Sequence, residues 1–230
     1  LLSARAVFGD TLTWDGSSST SWGTAANWVE NAVPADGDTL IFPSAAANKA
    51  CVNNIVGLDV YKIEIKGTGY SLSGNTINLI ESIRINTTFL TVASMYMDVD
   101  LVDDAQIRMM GYNNHLLCYG DIDMGSYDLS VGNYGLVRLY GVVSGSGAVT
   151  KFGTGIVSFN GSSANIYTGT TTVEDGTLEL DQVSGNSIPR DLIIEDGATV
   201  LQKANSRIQD DVTIYGSGIY DMDGFSETID

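Results

Sequence analysis

Proline, cysteine, histidine and positive charge are all scarce in this chain, which holds three prolines, two cysteines and one histidine in 230 residues. With His115 alone, no multi-histidine metal site or histidine-based triad can be built within the chain. Cys51 and Cys118 are too few for a disulfide scaffold. Lys plus Arg totals 11 against 28 Asp plus Glu, a net charge of −17, which argues against nucleic acid and anionic lipid surfaces as partners. No apolar run approaches the ~20 residues that a membrane-crossing helix needs, so no transmembrane segment is expected.

What the chain has instead is β-forming sequence in short pieces. Hydrophobic residues make up 43% of it, dispersed in alternating groups of three to five and punctuated by 26 glycines. Between Gly145 and Leu180 the pattern is plainest: Ala148-Val149-Thr150, Ile156-Val157-Ser158-Phe159, Thr171-Thr172-Val173 and Thr177-Leu178-Glu179-Leu180, each run cut by glycine. That is strand and turn with no room for a helix. The runs recur at a near-constant interval: Ile63 to Ile83 is 20 residues, Leu101 to Ile122 is 21 and Leu178 to Val200 is 22. A long, steady interval favours strands wound into a solenoid over a hairpin meander. The fold class predicted is all-β, a single parallel β-helix of about 20 residues per coil, and a rod on the order of 40 to 50 Å long at ~4.8 Å per coil.

Within that frame alternation sends Ile63 and Ile65 inward and Lys62 and Glu64 outward. Gly74-Asn75 and Gly132-Asn133 both sit between apolar pairs and read as equivalent corners. Tyr119, Tyr127, Tyr134 and Tyr140, at strand ends, read as ledge packing. Cys51 and Cys118 stand 67 positions apart, about three coils. That is ~14 Å along the stack, beyond the ~7 Å a disulfide spans, so two free, mostly buried thiols are expected. Gly145-x-Gly147 and Gly153-x-Gly155 precede no helix and are not nucleotide loops.

The residues Gly145, Gly147, Lys151, Gly153, Gly155, Asn160, Gly161, Asn165, Tyr167, Thr168, Gly169, Thr171, Thr172, Val173, Gly176, Thr177, Leu178 and Leu180 form an ordered pattern. It resembles the autotransporter-associated β-strand repeat, also called the passenger-associated transport repeat. Ile166 stands where that family usually has Thr, and Thr170 where it usually has a second Gly. The repeat carries no catalytic residues. The resemblance implies a right-handed β-helix in a bacterial surface or secreted protein. Two further stretches resemble segments of the same family: Thr13 to Phe42, which holds Trp14, Trp22 and Trp28, and Gly218 to Ile229.

Three parts are therefore expected. Residues 1–12 form an N-terminal strand or arm, or the remnant of a secretory signal. Residues 13–55 form a Trp-rich cap in which Trp14, Trp22 and Trp28 cover the end of the core, a reading favoured over a sugar-stacking platform. Residues 56–230 form the β-helix, open at its C-terminal end, where Ile219, Met222, Phe225 and Ile229 are candidates for assembly.

The candidate site for chemistry is acidic. Asp98 and Asp100 share a strand face, and with Asp121 and Asp123 about one coil later they form a carboxylate patch of the kind Ca²⁺ takes. β-Helical pectate lyases pair such clusters with an arginine base, and Arg84 and Arg108 are in range. A solvated acidic face is the simpler reading in a chain this acidic. The function expected is a non-enzymatic secreted or cell-surface scaffold, adhesive stalk or passenger. It would have no cofactor except the Ca²⁺ candidate. It would associate end to end, continue into further repeats, or meet a cell-surface glycan. The alternative is a polysaccharide-binding or lyase-type β-helix using the Asp or Trp surfaces.

Overall fold

Glycine-punctuated runs of three to five residues are too short to bury a core by themselves, so each must stack on another. In the computed structural model, which describes residues 9–205 and 207–227, that stacking is uniform. Every strand-to-strand ladder is parallel, in a 13-stranded and a 9-stranded sheet. The result is a β-solenoid of about eight turns with about 22 residues per turn. The spacing is elastic: Ile63 pairs with Ile83, 20 residues on, whereas Ile107 pairs with Val131, 24 residues on. Extra residues are absorbed at corners, where loop length is cheap.

One coil is typical. Val99–Leu101, Ala105–Met109 and Asn114–Cys118 follow one another, each stacked on the corresponding strands of the neighbouring coils. In the early coils the first two segments are joined as the long strands Leu58–Lys66 and Ile77–Ile85, which bend at a bulge near Val60. The longer sheet divides past Ile77–Ile85: its first half pairs with Val99–Leu101 and its second with Ala105–Met109.

Inward residues stack in columns. Leu58, Ile77, Val99, Ile122 and Val143 make one. Cys51, Leu72, Met95, Cys118, Leu139, Phe159 and Leu180 make another. All of these are buried. A parallel stack places like positions ~4.8 Å apart, so each column packs as a continuous apolar filament. The two cysteines lie in one column three coils apart, and both are free and buried, as their spacing predicts.

The equivalence expected of Gly74 and Gly132 does not hold. Gly74 closes the strand Tyr70–Gly74 in the shorter sheet, beside the backbone of Asn53, while Gly132 lies within Leu129–Asn133 in the longer one, beside Phe152. A Gly-Asn pair marks any tight bend, and nothing in the pair says which face the bend belongs to.

At the N-terminal end, Thr11–Thr13 pairs in parallel with Asp38–Pro43, and the chain between them returns through one antiparallel bridge, Trp14 to Trp28. The expected strand or signal remnant at Leu1–Phe8 lies outside the described residues. No helix among the described residues is long and apolar enough to cross a membrane.

Candidate functional site

The three tryptophans are buried together. Trp14 meets Trp28 edge-on with centroids 5.1 Å apart, Trp22 meets Trp28 at 6.3 Å, and Phe42 touches all three while contacting Tyr70 at 5.4 Å. Nε1 of Trp14 donates to the Asn48 carbonyl at 2.7 Å and Nε1 of Trp28 to that of Trp22 at 2.8 Å. Asn27, itself buried, gathers the serine-rich loop by accepting the N–H groups of Ser18 and Ser19. No tryptophan is more than 2% exposed, so none offers a ring face to a sugar.

The four aspartates are exposed, and Asp98 and Asp121 serve the backbone of the next coil. Oδ1 of Asp98 accepts the N–H of Asp121 at 2.8 Å, and Oδ1 of Asp121 accepts that of Val142 at 2.7 Å. A second run does the same at another corner: Asp104 takes the N–H of Asp128 at 2.9 Å, and Asp128 that of Ala148 at 2.8 Å. At these corners the main-chain ladder is interrupted, and a short carboxylate carries the hydrogen bond to the next coil. Asp100 and Asp123 are register partners. Partial burial raises the Asp100 carboxyl above its ordinary range, and the neighbouring charges of Asp123 and Asp98 add to the effect. Among the described residues no group of three or more His, Cys, Asp or Glu side chains is arranged to hold a metal ion. Arg84 is engaged locally by Glu81 and the Ser82 hydroxyl.

The tyrosines form ladders. Tyr96, Tyr119 and Tyr140 stack nearly face to face along one corner, 4.7 and 4.6 Å apart and within 8° of parallel. Tyr112 and Tyr134 meet at 4.8 Å on another, their rings tilted by 39°. Ledge packing is what the strand-end positions of Tyr119, Tyr134 and Tyr140 predict; Tyr127, expected with them, is in neither ladder.

A charged core residue went unnoticed. Lys151 occupies an inward position in the column Ile63, Ile83, Ile107, Val131, Lys151, Val173, Ile194, and is 1% exposed. Its ammonium donates to the carbonyls of Phe152 at 3.2 Å, of Asp175 at 2.7 Å and of Gly153. Burial lowers its pKa to about 8, with the Asp175 charge working the other way. The signal was available, because Lys151 shares the parity of inward-facing Val149.

Toward the other end, buried Gln202 donates to the carbonyls of Ala204 at 2.7 Å and Ser226 at 2.9 Å and accepts the Tyr220 hydroxyl. Glu227 accepts the N–H of Arg207 at 2.7 Å. Ile219, Met222 and Phe225 are exposed, Ile219 most at 61%. Ile229 lies outside the described residues.

Buried tryptophans, corner carboxylates, tyrosine ladders and a clasped lysine all join one coil to the next. A family model, the passenger-associated-transport-repeat, matches residues 149–180. No curated protein and no solved structure matches the chain. The repeat and the solenoid that contains it agree with an autotransporter-associated β-helical repeat protein.

Proposed function

We propose that this chain is a non-enzymatic structural segment of a bacterial surface or secreted protein, a rigid scaffold or stalk whose activity is its shape. Passenger-associated transport repeats belong to autotransporter passenger domains, which are secreted or on the cell surface in bacteria. The observation that carries the reading is the use made of the polar side chains. Asp98, Asp121, Asp104, Asp128 and Lys151 each hydrogen-bond the backbone of a neighbouring coil. Residues 13–55, with their tryptophan cluster, seal one end of the core. Ile219, Met222 and Phe225, exposed on the last coil described, offer an apolar surface for end-to-end association.

Scattering and electron microscopy of the purified protein test this directly. A rod of constant cross-section about 40 Å long is expected, at eight coils of ~4.8 Å. Incubation with a polysaccharide panel should generate no new reducing ends. Turnover that Asp100→Asn or Asp121→Asn abolishes would replace the structural reading with the enzymatic one. Monodisperse short rods at high concentration would remove end-to-end assembly while leaving the scaffold.

A further inference from the structure

The outer face of the longer sheet carries a trough of about 370 Å³ lined by Gln106, Arg108, Ser130, Thr150, Phe152 and Glu174. It exists because of a missing side chain. Arg108, Gly132 and Phe152 are register partners on successive coils. Gly132 has φ +147, and a Cβ there would lie 2.0 Å from the Phe152 carbonyl oxygen, so no larger residue fits. The column therefore dips between a cation and an aromatic ring. Arg108 leans across the dip until its guanidinium lies 5.8 Å from the centre of the Phe152 ring.

Arg108, like Arg138, has no acidic partner among the described residues; what sets it apart is its place over the Phe152 ring in the trough. In a chain of net charge −17, Arg84 pairs with Glu81, Arg190 with Asp211, Lys66 with Glu64 and Lys203 with Asp223. Among the described residues Arg108 is in no ion pair, and its Nε is buried with no hydrogen-bond partner. A guanidinium pre-oriented on a ring and still holding free donors is built for a planar anion, which it can bind through two parallel hydrogen bonds. The remaining lining supplies hydroxyls from Ser130 and Thr150, an amide from Gln106 and a carboxylate acceptor from Glu174. From Arg108 to Glu174 is three coils, roughly 14 Å at the ladder spacing.

We propose that this trough binds an acidic saccharide, with the uronate carboxylate on Arg108, the sugar ring against Phe152, and ring hydroxyls on Ser130, Thr150, Gln106 and Glu174. The occupant is a carbohydrate and not a nucleic acid, because the lining holds one cation, Arg108, for one carboxylate, while Ser130, Thr150, Gln106 and Glu174 suit ring hydroxyls and offer no cation to a second phosphate. The site is a binding site on a scaffold and goes beyond the structural reading without depending on it.

Calorimetric titration of the whole chain with trigalacturonate, and with galactotriose as its neutral counterpart, tests the assignment. The acidic trimer is expected to bind at high micromolar to millimolar Kd and the neutral one at least tenfold more weakly. Arg108→Gln should weaken the acidic trimer about tenfold or more and erase the preference. Arg108→Lys keeps charge and stem but cannot make the paired contact, and should weaken it severalfold. Arg190→Gln, remote from the trough, should match the parent. Circular dichroism establishes that each variant is folded, and the lysine variant decides if the glutamine one is not. Equal affinity for both trimers, no binding of either, or a folded Arg108 variant that binds like the parent would each overturn the proposal.

Discussion

The ammonium of Lys151 donates to the main-chain carbonyl of Asp175, one coil further on, at 2.7 Å. It thus clips two coils together from inside the core.

Removing that clip is expected to be expensive. Lys151→Ala leaves a cavity and the Asp175, Gly153 and Phe152 carbonyls without their donor, and should lower unfolding stability by about 3 kcal/mol or more. Lys151→Met keeps the volume and the apolar column and should cost less than the alanine variant. Denaturant unfolding of the three proteins measures both; equal midpoints for parent and alanine variant would contradict the clip.

The same residue gives a signed pH dependence. Its folded pKa of about 8 lies below the 10.5 of an ordinary lysine, so the unfolded chain holds the proton more tightly than the native one. Between those pH values the unfolded state binds more protons, and the Lys151 contribution to stability rises with pH. The difference between parent and Lys151→Met should therefore shift in the parent's favour from pH 8 to 10. A flat difference would contradict the lowered pKa.

Cys51 and Cys118 are both pushed up to about 12 by burial. Neither should react with a thiol reagent at pH 8 in the folded protein, and both should react once it is unfolded. Because their folded pKa values are raised, the stability they contribute is full below pH 9 and is lost as pH rises toward 12. Cys118→Ala should flatten that alkaline loss, as thermal melts across the range will read.

Asp121 and Asp100 should respond in opposite directions. Asp121→Ala removes the acceptor for the Val142 N–H and should cost about 1 kcal/mol. Asp100→Asn removes a charge facing Asp123 and Asp98, and should raise the melting temperature slightly at low salt, less at high salt. A fall on Asp100→Asn that requires added calcium would instead reveal a cation at that corner.

Tyr119 stacks on both Tyr96 and Tyr140, so Tyr119→Ala breaks two ring contacts. It should cost about 1 to 2 kcal/mol, roughly twice the effect of Tyr96→Ala, which breaks one. Matched denaturant melts will show the ratio.

The solenoid itself was legible because alternation and glycine spacing report strand and corner directly: Ile63 and Ile83, and Leu178 and Val200, are true register partners. The interval from Leu101 to Ile122 is not a register pair, since Ile122 pairs with Val99; corner length varies, and a two-residue error preserves the inward parity. The roles of Asp98 and Asp121 were not legible. Exposed aspartates on one face look the same in sequence whether they gather a cation or accept N–H groups of the next coil, and only the corner geometry separates the two. Arg108 was noticed for its distance from the aspartates, but its relation to Phe152 depends on Gly132 lying between them, which requires the register.

The register carries a consequence for how such a chain acquires its fold. Each ladder joins residues about one turn apart, about 22 positions, and the last coil closes no larger loop than the first. The entropy of closure is therefore the same at every step, and adding coils lengthens the rod without deepening its topological difficulty. A chain emerging end first needs only its leading two coils to begin, after which each new turn finds a finished edge to settle on.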